Sequence, residues 1–536
     1  MHNGLTSAYF RVIAVLFSAV ISPVGAVNSE DPARLRRRGR QPNIILLLTD
    51  DQDLLLGGTD RMPNLKRHLV NRGTNFTNAF VHTPICCPSR SSILSGRYLH
   101  NGVAINNTKS GNCNGELWRS GAEKSTFAVY AKAAGYTTFY AGKYLNAYDS
   151  GVPPGYDYWY GLVGNSRYYN YTIIASEDGG KTYRTDHHGD NYENDYLPDR
   201  VANWTLERID QAIGQDKPFV SINSWPTPHG PFTPAPWAEH VFDGARAPRT
   251  ENWNASSIYM QQKHWMMRQL APIDNATEDF IDTTYQDRLE ALLSVDNHIA
   301  QIVELLERKG EIENTVIIYT SDHGFQLGQH RLAVDKRHLY EHDIRVPFIV
   351  ATGDGVKKSS DDIVLNIDIA PTIYELTHGS SDIPTEMDGI SFVPSLMVHE
   401  DRGKQNRSPR RDDFLVSYHG AAYGPCGMAE CPPDPHGGWM PDGRNNTYHC
   451  VRALVDRGAR RDEIYCRFED DENFIEYYDL IIDPVQLVNR YPDLGSEEKD
   501  MFEARLLQLR KCRGESCRVK PQGMSLPVDT PVAMEQ

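Results

Sequence analysis

An Asp-Asp pair, an Asp-His pair, three cations, a second histidine and one cysteine are the side chains best placed in this sequence to do chemistry together. Asp50-Asp51 and Asp322-His323 each close an apolar, strand-like run, from Asn43 to Leu48 and from Thr315 to Tyr319. Carboxylates delivered by buried strands are costly unless a cation meets them. The oxygen-rich set suits Ca²⁺ or Mg²⁺ better than Zn²⁺. A single Asp-Asp pair reads better as a cap or turn; two such clusters beside the cysteine run from Cys86 to Arg90 read as a metal site. Arg90, Lys143 and Lys336 add positive charge, and His229 adds a titratable ring. Fixed cations and a proton donor lower the barrier to a cleavage in which an oxygen gains negative charge. Any one Lys or His is ordinarily surface charge or a satisfied loop residue, and what groups these is their shared place beside strand ends. Cys86 is the candidate nucleophile, although a cysteine taken alone is ordinarily a buried thiol or a disulfide partner.

Five apolar runs would have to position these groups. Asn43 to Leu48 leads into Asp50-Asp51, Thr137 to Tyr140 into Gly142-Lys143, Phe219 to Asn223 into Pro228-His229, Thr315 to Tyr319 into Asp322-His323, and Arg345 to Val350 ends at Gly353. Helical patterns lie between them, at Thr126 to Ala134, Asp199 to Ile213 and about Tyr285 to Lys309, the last with Leu289, Leu292, Leu293, Ile299, Ile302, Val303 and Leu306 on one side. Alternating strand and helix predicts a mostly parallel α/β sheet with its ligands beyond the carboxyl ends of the strands, where the five polar tails would meet. After about Asp412 the pattern changes to short extended pieces, Pro/Gly-rich turns and a cysteine cluster, closing on a helix from Ser496 to Lys511.

The chain of 536 residues is long enough for a large core. Met1 to Ala26 reads as a signal peptide cleaved after Ala26, and no later run offers about 20 uninterrupted apolar residues for a transmembrane helix. Eight Asn-x-Ser/Thr sites, at Asn75, Asn106, Asn170, Asn203, Asn254, Asn275, Asn406 and Asn445, agree with entry to the secretory pathway. So do nine cysteines, six of them late: Cys426, Cys431, Cys450, Cys466, Cys512 and Cys517. A formal charge of -16 argues against a nucleic-acid partner but leaves room for a locally positive site that takes an anion. Arg34-Leu35-Arg36-Arg37-Arg38 reads equally as a processing site or a solvated linker.

The run Cys86-Cys87-Pro88-Ser89-Arg90-Ser91-Ser92-Ile93-Leu94-Ser95-Gly96-Arg97 resembles the signature of the sulfatase family, Cys-x-Pro-x-Arg followed by a Leu-x-Gly-Arg-like tail. The resemblance implies that a formylglycine-generating enzyme oxidises Cys86 to formylglycine (3-oxoalanine), whose hydrate attacks sulfur. It implies one Ca²⁺ held by Asp50, Asp51, Asp322, His323 and an oxygen of the converted Cys86. It also implies that Arg90 holds the hydrate, that Lys143 and Lys336 clamp sulfate, and that His229 contacts sulfate or protonates the leaving oxygen. The implied fold is an alkaline-phosphatase-like α/β sandwich, a central mostly parallel mixed sheet flanked by helices, over residues 27–411. A smaller disulfide-containing α+β domain with an antiparallel sheet would occupy 412–536. Many relatives carry a second histidine two or three residues beyond the Lys143-type lysine; Leu145 and Asn146 stand there, so the base that opens the hydrate falls to another group such as His229 or His82. Many relatives have Asn in place of His323, which leaves open the atom His323 offers the metal.

Within that family, Leu48 to Asp53, the Cys86-Cys87 doublet, Asn106-Asn107-Thr108, Gly111-Asn112-Cys113, Ala141 to Asn146, Tyr168 to Thr172 and Lys263-His264-Trp265 resemble the N-acetylglucosamine-6-sulfatases. This implies exo-removal of 6-O-sulfate from glucosamine residues of heparan sulfate or keratan sulfate, in the lysosome or outside the cell. Converting Cys86 would leave eight cysteines, an even number. The other readings are a secreted arylsulfatase of broader specificity, a two-zinc phosphatase or phosphodiesterase of the same fold with a Ser or Thr nucleophile, and a non-catalytic glycan-binding homologue. A homodimer stays open.

Overall fold

Along the strand β1 (Asn43–Thr49), successive side chains feed two different cores. Ile44, Leu46 and Leu48 join one apolar cluster and Ile45 and Leu47 another, all at most 2% exposed. That is the period-two pattern of a strand covered on both faces. Each such burial contributes about 1.5–3 kcal/mol. The computed structural model describes residues 40–353, 355–396, 411–421, 444–457 and 459–518. The expected signal peptide, the Arg34 to Arg38 run, Cys426, Cys431 and Asn406 lie outside the described residues.

The remaining strands of the large sheet are β2 (Gly73–Phe80), β3 (Thr137–Lys143), β4 (Tyr158–Leu162), β5 (Thr172–Ser176), β6 (Arg184–His187), β7 (Phe219–Ser224), β8 (Thr315–Ser321), β9 (Phe348–Ala351) and β10 (Lys358–Leu365). Their order is β10-β2-β9-β8-β1-β7-β3-β4-β5-β6. The central block β8-β1-β7-β3-β4 is parallel throughout, so the carboxyl ends of β1, β3, β7 and β8 lie along one edge. Helices cover both faces: α1 (Cys86–Ser95), α2 (Phe127–Ala133) and α5 (Ile369–His378) on the side of Leu46, α3 (Leu197–Gly214) and α4 (Asn275–Lys309) on the side of Leu47.

Four of the five expected tails meet at that edge, and the fifth does not. β9 pairs antiparallel with both β8 and β2, so Ala351 points to the opposite edge and Arg345 arrives at the near one. The cause is the connection. Between Asp322 and Pro347 the helix Glu341–Ile344 is one turn long, too short to carry the chain back down the sheet for a parallel return. The strand also starts later than the apolar run, because Pro347 has no N–H to give a ladder.

A second, four-stranded antiparallel sheet, β11 (Asp413–Tyr418), β12 (Tyr448–Arg457), β13 (Ala459–Phe468) and β14 (Ile475–Asp479), carries α6 (Ser496–Lys511). Phe414, Val416, Tyr448, Ile464 and Phe502 share one apolar cluster with Phe80, Val81, Ile85 and Tyr340, so this sheet buttresses the segment that leads from β2 into Cys86 and the one that follows Lys336. Cys450 and Cys466 sit opposite each other on β12 and β13 and are disulfide-bonded, as are Cys512 and Cys517. Asn170, Asn203, Asn275 and Asn445 are exposed, whereas Asn106 is buried and its Oδ1 accepts from the Thr108 hydroxyl at 2.7 Å.

The third described disulfide, Cys87–Cys113, pins the start of α1 across 26 residues. Loop-closure entropy for that span is about 3.5 kcal/mol. A Cys87→Ala, Cys113→Ala double variant is therefore expected to unfold in denaturant with stability lower by about that amount. An unchanged midpoint would remove this bridge from the account of α1.

Candidate active site

Arg90 ties four strand ends together. Its Nε donates to Asp322 Oδ2 at 2.8 Å beyond β8, its Nη1 to Ser224 Oγ at 2.6 Å on β7 and to the Lys143 carbonyl at 3.0 Å on β3, and its Nη2 lies 3.3 Å from Asp50 Oδ1 beyond β1. It can do so because α1 is buried along its whole length and Arg90 is one turn in from Cys86. β3 must approach β7 closely there. Gly142, at φ 108°, lies so near the Ser224 carbonyl that a Cβ would sit 1.9 Å from its oxygen, a contact no other residue tolerates.

Asp50 accepts from Lys143 Nζ at 2.6 Å and from the Ser166 hydroxyl. Burial works to raise Asp50, but Lys143 and Arg90 hold its carboxyl well below the usual carboxylate range. Both Asp51 oxygens lie 2.6 Å from Lys336 Nζ, which against the same burial lowers Asp51 as well. Asp51 turns the chain at φ 69°, a left-handed conformation that costs a non-glycine residue about 1–2 kcal/mol. The strain is held by its N–H on Asp322 Oδ1 at 3.0 Å and by Arg288, whose Nη2 donates to its carbonyl at 2.7 Å.

Cys86 opens α1 with a fully buried, unbridged thiol. Its Sγ is 3.2 Å from His323 Nε2 and 3.7 Å from Lys336 Nζ. Burial would raise the thiol, yet Lys143 and Lys336 pull it well below its ordinary value, and the positive end of the helix dipole acts the same way. His323 Nδ1 lies 2.9 Å from the Gly324 carbonyl, which assigns its proton to Nδ1 and turns Nε2 to the site as a ligand atom. His229 is set alike: Nδ1 donates to the Gly230 carbonyl at 2.7 Å, and Nε2 faces Asp51 Oδ2 at 3.9 Å.

Asp50, Asp51, Cys86 and His323 each offer one atom, all within 4.8 Å of one another, and so form a cluster able to hold a metal ion. The donors fit a hard divalent cation: carboxylate oxygens, one imidazole nitrogen, and a buried Asp50 Oδ1 with no hydrogen-bond donor. Asp322 stands at the edge of the cluster, its Oδ1 3.7 Å from His323 Nε2 and already accepting the Asp51 N–H. The structure thus brings Asp50, Asp51, Cys86, Arg90, Lys143, His229, Asp322, His323 and Lys336 into one locality.

His82 does not join them. Its Nδ1 bonds Asn366 Oδ1 at 3.0 Å, its Nε2 lies 3.4 Å from Ser92 Oγ, and its ring packs edge-on to Tyr98, so it stands behind α1 and cannot act as the base. Burial pushes it down to about 3 from an ordinary 6.5, with Asn366 opposing and His100 adding. Between those values only the unfolded chain binds the proton, so stability falls as pH falls through the window. His82→Asn is expected to lose about 2 kcal/mol less stability than the parent between about pH 7 and about pH 5 in denaturant titrations. Equal losses would contradict this.

Leu145 is fully buried, and Asn146 donates to Asn165 Oδ1 at 3.0 Å. Sequence reading passed over Ser166, Ser224 and Arg288. A lone Arg in the buried register of α4, beside Leu289 and Leu292, is a signal that could have found the last. Ser166 and Ser224 carry no such mark, since each gains its role only when distant loops meet.

The Sulfatase family model matches residues 42–380. The N-acetylglucosamine-6-sulfatase of Homo sapiens is 41% identical over 499 residues, which cover 89% of this chain and 86% of the relative. That of Capra hircus is 41% identical over 89% and 85%. Among solved structures, one described as in complex with its substrate D-glucosamine-2-N,6-O-disulfate aligns with a TM-score of 0.64 at 22% identity, over 88% of this chain and 97% of its own, a likeness of fold.

Proposed function

This chain belongs to the sulfatase family and is a sulfuric ester hydrolase, and from that premise we propose that it removes 6-O-sulfate from terminal glucosamine or N-acetylglucosamine residues of heparan sulfate or keratan sulfate. The observation that carries the reading is the setting of Cys86 Sγ, which stands where a hydroxyl oxygen of the formylglycine hydrate would be, 3.2 Å from His323 Nε2 and 3.7 Å from Lys336 Nζ. A formylglycine-generating enzyme converts Cys86 during secretion. Once hydrated, the converted residue would supply a geminal diol: one hydroxyl, losing its own proton to solvent, would displace the sugar oxygen from sulfur, and that oxygen would take a proton as the bond breaks. Loss of the proton on the other hydroxyl would let the carbonyl re-form with departure of sulfate, and addition of water would restore the hydrate.

Lys143 and Lys336 balance the charge that develops on the sulfate oxygens. His229, fixed by Nδ1–H on the Gly230 carbonyl and acting as the imidazolium, would give its Nε2 proton to the leaving sugar oxygen and take one back from the second hydroxyl, so a single ring serves as acid and then base. That assignment answers the missing histidine at Leu145 and Asn146. Ca²⁺ is the ion proposed: Asp50, Asp51 and His323 would hold it together with an oxygen of the converted residue 86, Asp322 standing beside them, and it would supply Lewis-acid polarisation of the sulfate. Stripping the protein with a chelator is expected to abolish sulfate release and lower the melting temperature, with Ca²⁺ restoring both. Restoration by Zn²⁺ alone would overturn the choice of ion.

The 41% identity to two enzymes named N-acetylglucosamine-6-sulfatase, over most of both chains, supports the substrate, as does the D-glucosamine-2-N,6-O-disulfate described as the substrate of the structural relative. The destination we propose is the lysosome, with the extracellular space as the alternative. The test is inorganic sulfate release from N-acetylglucosamine-6-sulfate, galactose-6-sulfate and an aryl sulfate. Release from the first is expected; cleavage of the aryl sulfate alone would leave the family intact and sink this substrate.

A further inference from the structure

A pocket of about 550 Å³ opens beside the reaction centre, in the loop that joins β4 to β5. Its wall is tied to the catalytic groups on three sides. The Ser166 hydroxyl donates to Asp50 Oδ2, the Tyr168 hydroxyl to the His229 carbonyl at 3.0 Å, and Asn146, three residues after Lys143, to Asn165 Oδ1 at 3.0 Å. Whatever fills the pocket therefore lies next to the sulfate being cleaved. Among the described residues no acidic side chain lines it, although the whole chain carries a formal charge of -16. One cation does: Arg167, next in sequence to Ser166, exposed, and with no ion pair or hydrogen bond among the described residues.

An arginine held at a pocket mouth without a carboxylate partner is a group waiting for an anion, because its planar fork matches sulfate and carboxylate. The scissile sulfate is already provided for by Lys143 and Lys336, so a different anionic group has to be the target. The rim beyond the pocket suits a saccharide. Tyr169, half-buried, packs on Tyr196 with ring centroids 5.4 Å apart, Tyr192 follows at 5.8 Å from Tyr196, and Trp237, 46% exposed, continues the strip beside Tyr192. Aromatic faces of this kind carry the apolar face of a sugar ring.

We propose that this pocket is a specificity subsite in which Arg167 binds a second anionic substituent of the saccharide, a sulfamate or a carboxylate, next to the 6-O-sulfate that is removed. The inference rests on the reading of the reaction given above. Arg167 selects among substrates and takes no part in bond cleavage.

The test compares kcat/KM of the parent and of Arg167→Ala on three sugars: N-acetylglucosamine-6-sulfate, glucosamine-2-N,6-O-disulfate, and a disaccharide of N-acetylglucosamine-6-sulfate linked to a uronate. A charge-assisted hydrogen bond lost at the subsite lowers the ratio of a doubly charged sugar to the singly charged one by about tenfold or more. A fall confined to the disulfate names the sulfamate, and a fall confined to the disaccharide names the carboxylate. Arg167→Lys is expected to recover part of the lost ratio, and added salt to shrink it in the parent. Equal effects of Arg167→Ala on all three sugars, or none on any, would overturn the subsite while leaving the reaction standing. A parent enzyme that releases sulfate from none of the three would overturn both.

Discussion

Cys86→Ala is expected to release sulfate at least about 10⁴-fold more slowly than the parent enzyme, because no other group in the site can form the covalent sulfo-intermediate. The surrounding charges are made for each other rather than for the thiol: Lys143 holds Asp50, Lys336 holds Asp51, and Arg90 holds Asp322. Removing the small reactive group at position 86 should therefore change stability by no more than about 1 kcal/mol. Cys86→Ser keeps a hydroxyl in the same place and is expected to be as inactive as the alanine variant, since a lone hydroxyl cannot expel sulfate by re-forming a carbonyl. A serine variant with near-parental turnover would mean that a simple alcohol suffices and would move the chemistry toward that of a phosphatase.

Arg90→Ala should fail in a different way, losing the fold of the site as well as its activity. The guanidinium is 1% exposed and meets Asp322, Ser224, the Lys143 carbonyl and Asp50, so its removal strands buried carboxylates at the ends of β1 and β8. Breaking a buried pair in this manner costs about 3–5 kcal/mol. Arg90→Lys restores the charge but not the fork that reaches β3, β7 and β8 together; it is expected to recover most of the stability while sulfate release stays at least about 10²-fold down. Thermal melts and sulfate release on the two variants separate the contributions. Full activity in Arg90→Lys would show that charge alone is needed.

The parts of this fold that were legible in the sequence are those whose burial is dictated locally. β1 and β8 read as unbroken apolar runs because both of their faces are covered, and α6 runs from Ser496 to Lys511 as its pattern predicts. What escaped depends on tertiary partners. β2, in Gly73–Phe80, mixes Gly, Thr and Asn with its apolar residues and gains its place by pairing with β10 and β9. The first ten residues of α4 are mostly polar, with Ile281 the apolar residue buried among them, and their start is marked by Asp274, whose side chain caps the Thr277 N–H at 2.8 Å. The direction of β9 could not be read from its composition, because antiparallel return follows from the absence of a long crossover helix after Asp322.

The site divides along the same line. The side chains that end strands were visible as polar breaks in apolar runs, and Cys86 and Arg90 through their spacing. The His323 ring presents Nε2 because of a backbone carbonyl at Gly324, and His82 is withdrawn from the site because Asn366 and Ser92 lie against it. Neither neighbour announces itself in the linear order.

The central claim is that an aldehyde at position 86, and not the encoded thiol, does the chemistry. It is tested most directly by the mass of the peptide that carries residue 86, taken from enzyme purified from the secretory pathway and assayed for sulfate release in the same preparation. A peptide is expected in which the thiol has been exchanged for an aldehyde oxygen, in a proportion that follows specific activity from one preparation to the next. Fully active enzyme whose peptide retains unmodified Cys86 would contradict it.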